Sequence, residues 1–165
     1  MIKPLVVALA LTVSLTLAPV AGIVDAESDD GPHVGDVDHV GLTVTDLDRT
    51  TTFFIEVLGF KLLKRDDEYP ATFLSNGEVM ITLWRATDPA TATPFNRKTN
   101  VGLHHLALQV DSFEALDAMH ERVRRADGVR IEFAPEPLSG GPAKHMMFRE
   151  PSGNRLELIH RPPSP

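Results

Sequence analysis

Two stretches of the chain alternate apolar and polar residues in the same order. His39-Val-Gly-Leu-Thr-Val44 puts Val40, Leu42 and Val44 on one side of an extended strand, with His39, Gly41 and Thr43 on the other. His105-Leu-Ala-Leu-Gln-Val110 begins 66 residues later and sets Leu106, Leu108 and Val110 against His105, Ala107 and Gln109. His, Leu and Val recur in register, so the chain reads as two copies of one unit. One side of each strand belongs to a packed core. The other holds a histidine among small or polar residues, a face that is costly to bury unless something binds there.

Each strand leads into a helix. Asp46 is placed to cap the first, Leu47, Phe54, Val57 and Leu58 form its apolar stripe, and Gly59 stops it. Asp111 is the expected cap of the second, with Glu114 three residues later completing a capping box. Phe113, Leu116, Met119 and Val123 follow at helical spacing up to Gly128. Strands are expected over Phe60–Arg65, Ala71–Leu74 and Glu78–Trp84, with Asn76-Gly77 as a tight hairpin turn. In the second copy they fall at Val129–Phe133, Lys144–Arg149 and Arg155–Ile159, the last two joined at Pro151-Ser-Gly153. Residues 86–100 connect the units, and residues 134–143 read as a loop that can lie over a site. The pattern predicts one α+β domain over residues 37–161, made of two βαβββ modules (37–85 and 101–160) forming a half-barrel cleft.

Composition adds boundaries. Hydrophobic residues at 42% and charged residues at 24% are ordinary for a globular domain, which excludes disorder and coiled coil. A formal charge of −7 lacks the basic footprint of a nucleic-acid binder. The sequence has no cysteine, so disulfides, thiolate ligands and thiol nucleophiles are excluded and any metal rests on His and carboxylates. Ahead of the repeat, Lys3 precedes an uncharged run from Pro4 to Val24, and acidic residues follow from Asp25. This is the layout of a signal peptide over residues 1–26, with a retained membrane anchor as the rival reading. Residues 27–36 read as a flexible acidic tail. The expectation is an exported protein, periplasmic or secreted, with no stable membrane association after cleavage.

The candidate chemistry lies on the polar sides of the strands. In Arg155-Leu-Glu-Leu-Ile159, Leu156 and Leu158 face the core and Glu157 faces the other way with Arg155. His39, His105 and Glu157 are two imidazoles and one carboxylate on separate strands, the parts of a facial triad for Zn, Ni, Mn or Fe. His145 alternates onto the same side of its strand with Met147 and Arg149. It is the candidate acid or base, since imidazole titrates near working pH, and a solvent-facing His is the alternative. Met80, Thr82 and Trp84 share a face that can form an apolar wall. His104 reads as core-facing, His33, His120 and His160 as surface residues, and Tyr69 as the edge of a sheet.

The segments Asp38-His-Val-Gly-Leu-Thr-Val-Thr-Asp-Leu47, Phe53-Phe-Ile-Glu-Val-Leu-Gly-Phe60, Leu103-His-His-Leu-Ala-Leu-Gln-Val110 and Phe148-Arg-Glu-Pro-Ser-Gly-Asn-Arg-Leu-Glu-Leu158 together resemble the vicinal oxygen chelate superfamily. That superfamily includes glyoxalase I, fosfomycin-resistance proteins, extradiol dioxygenases and bleomycin-resistance proteins. The resemblance covers about residues 37–160 and implies that His39, His105 and Glu157 are metal ligands, with Glu157 able to act as base. It also implies that Thr82 stands where glyoxalase-type members carry a fourth ligand, which a hydroxyl serves poorly. Three functions follow from it. The first is a metal-dependent, glyoxalase-I-like lyase or isomerase on a small substrate chelated through neighbouring oxygens. The second is an Fe(II) ring-cleaving dioxygenase, and the third a metal-free small-molecule-binding protein. The site can be completed within one chain or across a homodimer, and a homodimer is expected.

Overall fold

The computed structural model describes residues 34–163. The expected signal segment and residues 27–33 of the acidic tail lie outside the described residues. Among the described residues, no helix is long and apolar enough to cross a membrane.

The first module runs β1 (His39–Val44), α1 (Leu47–Thr52), β2 (Lys61–Asp66), β3 (Ala71–Ser75) and β4 (Met80–Arg85). The second runs β5 (Leu106–Gln109), α2 (Phe113–Val123), β6 (Arg130–Pro137), β7 (Lys144–Arg149) and β8 (Arg155–His160). The sheets have the orders β1-β4-β3-β2 and β5-β8-β7-β6. In each, the opening strand lies parallel to the closing strand, and the remaining pairs are antiparallel. The chain is therefore two βαβββ modules of one α+β fold, as the repeat predicts.

Local signals explain most boundaries. Asp46 adopts extended φ/ψ and its carboxylate accepts from the Arg49 amide at 3.0 Å, which starts α1. The helix then widens into a π turn over Phe53–Val57, where the Leu58 amide reaches back to the Phe53 carbonyl. Gly59 ends it at φ +79°, a conformation that glycine adopts without strain. Ser112, not Asp111, caps α2: the Ser112 hydroxyl accepts from the Ala115 amide at 3.0 Å, a reach the preceding side chain does not make. The Asn76-Gly77 turn is wider than a two-residue hairpin. Its loop takes residues 76–79 because the Asn76 carboxamide oxygen accepts from both the Glu78 and Val79 amides. β6 continues through Pro137, so the free loop shortens to residues 138–143. At the outer edge of the first sheet, β2 is mostly exposed. A bulge lies between Leu62 and Lys64, and Leu62 and Leu63 face solvent.

One core serves both modules. Leu42, Val44, Leu83, Phe54 and Leu74 from the first join Leu116, Met146, Phe148, Leu156 and Leu158 from the second. The Phe53 ring packs edge-on to Phe148 at 6.0 Å, across the boundary. A polar lock sits beside it. Glu150 is 1% exposed, in the turn that precedes β8. Its carboxylate accepts from the Thr50 hydroxyl (3.1 Å), the amides of Ser152 (2.8 Å) and Asn154 (2.9 Å), and the Asn154 side chain (2.9 Å). Asn154 also donates to the Thr43 carbonyl at 3.0 Å, joining β8 to β1.

Burial raises the Glu150 pKa above its ordinary 4.5, against the lowering effect of those donors. With the folded value raised, this group's stabilising contribution is fully present below about pH 4.5 and is lost as pH rises through the folded pKa. Glu150→Gln should remove that slope from a stability–pH profile. It should also lose about 1–3 kcal/mol in urea unfolding near pH 4.5, where the parent's contribution is still present, because an amide nitrogen then faces a backbone donor. A variant as stable as the parent would show that the lock is not needed.

Candidate functional site

The register of the second sheet builds one half of the site. Ala107 on β5 and Met147 on β7 lie opposite Glu157 on β8, so these three form a row across the face turned away from the core. Leu156 and Leu158, on the other side of β8, are buried in the core. The Glu157 side chain is 8% exposed, and its two oxygens go separate ways. Oε2 lies 3.0 Å from Nε2 of His105, which immediately precedes β5. Oε1 is in close contact with Nδ1 of His145 on β7. A carboxylate this buried is tolerated only with partners, and the two imidazoles are the partners present. Phe133 of β6 packs its ring 5.0 Å from that of His145 and walls the pair on one side.

The first sheet supplies a different half. Gly41 and Leu42 lie opposite Thr82 and Leu83, as Ala107 and Leu108 lie opposite Glu157 and Leu158. Thr82 is thus the structural counterpart of Glu157. Its hydroxyl accepts from the Trp84 indole at 2.8 Å. Trp84 packs at a tilt against Tyr69 (5.2 Å) and edge-to-face with Phe73 (5.7 Å), and the Lys64 ammonium lies 5.6 Å from the Phe73 ring. Gly41 makes room for this cluster. A Cβ there would meet Thr82 Oγ1 at 3.3 Å and Trp84 Nε1 at 3.4 Å. The lone Trp and the lone Tyr of the sequence therefore form an aromatic wall that their low number did not suggest.

His39 is half-exposed, with Nδ1 2.5 Å from the Asp38 carboxylate. The structure thus joins His105, His145 and Glu157, whereas His39 is not among the partners of Glu157. Among the described residues, no three His, Asp or Glu side chains converge as a complete metal-binding group.

Two arginines that the alternation puts on this face, and a glutamate that it does not, adjoin Glu157. Arg149 and Arg155 are paired across β7 and β8 on the same face. Glu132 of β6 accepts from Arg149 Nε at 2.9 Å and from Arg155 Nε at 2.8 Å. Burial works to raise the Glu132 pKa, yet the Arg155 and Arg149 guanidiniums hold it below its ordinary value. The even spacing of Arg149 with His145 was a visible signal, but the bulges in β6 hid Glu132 from the alternation. His104 is exposed rather than in the core, because the strand starts only at Leu106. Desolvation, and then the Arg155 charge, lower its pKa. His160 is part-buried, not a surface residue. Its ring meets Phe113 edge-on at 4.7 Å, and Nδ1 lies 2.9 Å from the Val110 carbonyl. His120 is likewise half-buried, and His33 lies outside the described residues.

The sequence profile of the Glyoxalase/Bleomycin resistance protein/Dioxygenase superfamily matches residues 36–158. The chain belongs to this superfamily. Within it, a 2-epi-5-epi-valiolone epimerase from Actinomyces is 33% identical over 76% of the chain and 79% of that protein. A lactoylglutathione lyase from Arabidopsis thaliana is also 33% identical, over 77% of the chain but only 44% of that protein. The chain therefore spans less than half of the plant enzyme it matches. Among solved structures, a glyoxalase/bleomycin resistance/dioxygenase domain from Frankia shares 28% identity at a TM-score of 0.68, covering 81% of this chain and 96% of its own. A fosfomycin resistance protein from Listeria monocytogenes, at 20% identity and a TM-score of 0.63, covers 79% and 96% and shares the fold. The superfamily's duplicated module is thus present here, with one acidic and one aromatic half.

Trp84 is the only tryptophan, so its fluorescence reports this wall directly. Gly41→Val should push the indole off Thr82 and shift its emission to the red, with the fold retained by circular dichroism. Unchanged emission would mean that Gly41 does not set the position of Trp84.

Proposed function

We propose that the chain is a metal-dependent lyase or isomerase of glyoxalase type, acting on a small substrate held through neighbouring oxygens. The observation that carries this reading is the convergence of His105 Nε2 and Glu157 Oε2, 3.0 Å apart on the concave face. A nitrogen and an oxygen brought this close, the oxygen from a buried carboxylate whose partners are imidazoles rather than a guanidinium or ammonium, suit a divalent ion. The nitrogen and oxygen chemistry fits Zn, Ni, Mn or Fe. In this reading His105 and Glu157 hold the ion and His39 completes the set, from the same chain or from a second protomer. Thr82 does not, since its hydroxyl is engaged by Trp84. The relatives named as an epimerase and a lactoylglutathione lyase support a reaction of this class.

The bound ion supplies Lewis acidity toward a carbonyl oxygen. The chain's own residues do the rest. Glu157 Oε1 faces His145, so a proton taken up by the carboxylate can pass to the imidazole and return to the substrate at another atom. Trp84 and Phe73, at the equivalent position of the first module, offer an apolar surface to the substrate's flank. The same aromatic wall favours a second reading, an Fe(II)-dependent oxygenase that takes a planar ring. The leader pattern supports an exported protein as part of this proposal.

His105→Ala and Glu157→Gln should each abolish stoichiometric metal, measured by elemental analysis, while the fold persists. Full metal content in both variants would remove the site from consideration. Thr82→Glu should tighten metal binding, and an unaltered affinity would mean that position 82 does not face the ion. His145→Ala should keep its metal and lose about 10²–10⁴-fold in turnover. Oxygen uptake with catechols would favour the second reading over the first.

A further inference from the structure

The connector lies against the second sheet and forms a cleft of about 400 Å³, lined by Asn96, Arg97, Lys98, Arg130, Glu132 and Arg149, with Ile131. Four of these side chains are cationic and one is anionic. The imbalance is larger than four against one, because Glu132 is shared between two guanidiniums. Arg155 and Arg149 have side chains only 6% and 14% exposed, so one positive charge in this nearly buried trio has no counter-charge. Arg97, Lys98 and Arg130 form no ion pair among the described residues. Such a concentration of cations is unexpected in a chain of net charge −7, where unspecific attraction of anions is weak.

The cleft is also ordered. Arg149 donates Nε to Glu132 (2.9 Å) and Nη1 to the carbonyls of Phe95 (3.0 Å) and Gly153 (2.9 Å), and its guanidinium stacks on the Phe95 ring at 5.6 Å. These contacts fix the fork. Nη2 has no protein partner among the described residues, and none of their side-chain nitrogens is both buried and unpartnered, so solvent reaches it. A guanidinium held this way is prepared for a carboxylate or phosphate, with little side-chain entropy left to lose. The cleft adjoins the acidic half of the site. Arg149 and Met147 are on the same face of β7, and Met147 lies directly opposite Glu157.

We propose that this cleft is an anion subsite, which takes a carboxylate or phosphate carried by the substrate while its other end lies at Glu157. The substrate class is thus an oxygen-rich small molecule bearing a terminal anionic group. The inference rests on reading the concave face as the substrate site, but it concerns different residues and separates from that reading in the test. Purified full-length protein would be titrated with inorganic phosphate and, in a second arm, with malonate, at low ionic strength, by calorimetry and amide NMR. At least one anion should bind, with shifts centred on residues 96–98 and 130–132. Arg97→Ala combined with Lys98→Ala should weaken it by about tenfold or more, with metal content unchanged. The stronger arm identifies the anionic group. Absence of binding in both arms would overturn the subsite, as would equal affinity in the double variant or shifts centred on His105 and Glu157. None of these outcomes alters metal content, which tests the proposed function separately.

Discussion

The concave face depends on one constraint, the parallel pairing of an opening strand with a closing strand in each module. Parallel neighbours cannot be joined by a tight turn, so the chain must leave the sheet and return. Here it returns through a helix and two antiparallel strands. The closing strand is then sandwiched between the opening strand and its hairpin partner. Residues distant in sequence become neighbours: Glu157 lies between Ala107 and Met147, and Thr82 between Gly41 and Phe73. Small residues on the opening strands, Gly41 and Ala107, leave space above each closing residue. Glu150 and its donors hold the two modules together beside this face, so the lock and the site share the turn that leads into β8.

Duplication supplies two equivalent positions, and the chain has used them differently. At one, Glu157 is buried against two imidazoles. At the other, Thr82 anchors an indole. A second carboxylate at Thr82 would need its own compensation, since a buried charge without partners is strongly disfavoured. The hydroxyl instead satisfies the Trp84 N–H and lets the aromatic cluster cover that half. The result is a polar, ion-compatible position in one module and an apolar one in the other, with a basic cleft beside the polar one. Such an arrangement orients a substrate that has distinct ends.

Much of this was legible because the signals are short-range. Alternation placed His39 and His105 on equivalent faces, and the paired Leu156 and Leu158 turned Glu157 away from the core. Asp46 and Gly59 marked their helix ends because a cap and a positive φ are local requirements. The alternation of β7 also placed His145 on the face of Glu157. What escaped depends on distance or irregularity. The bulges in β6 break the period of two, so Glu132 could not be assigned to the arginines it serves. The contact between Tyr69 and Trp84 joins a turn to a strand, and no spacing encodes it. Asp111 and Ser112 are both good caps, and only backbone geometry selects Ser112. His160 ended a strand and looked exposed, but α2 folds back so that Phe113 covers it.

The outer strand β2 has a consequence for how copies of the chain can meet. An exposed strand with two consecutive leucines offers free backbone groups to any passing strand. Here Leu62 and Leu63 are bracketed by Lys61 and Lys64, and the irregularity at Leu62–Lys64 bends the ladder out of flat register. Two copies aligned along this margin would bring ammonium groups together on a twisted template. Continuous sheet growth through this margin is therefore resisted, and any symmetric assembly has to be built on another part of the surface.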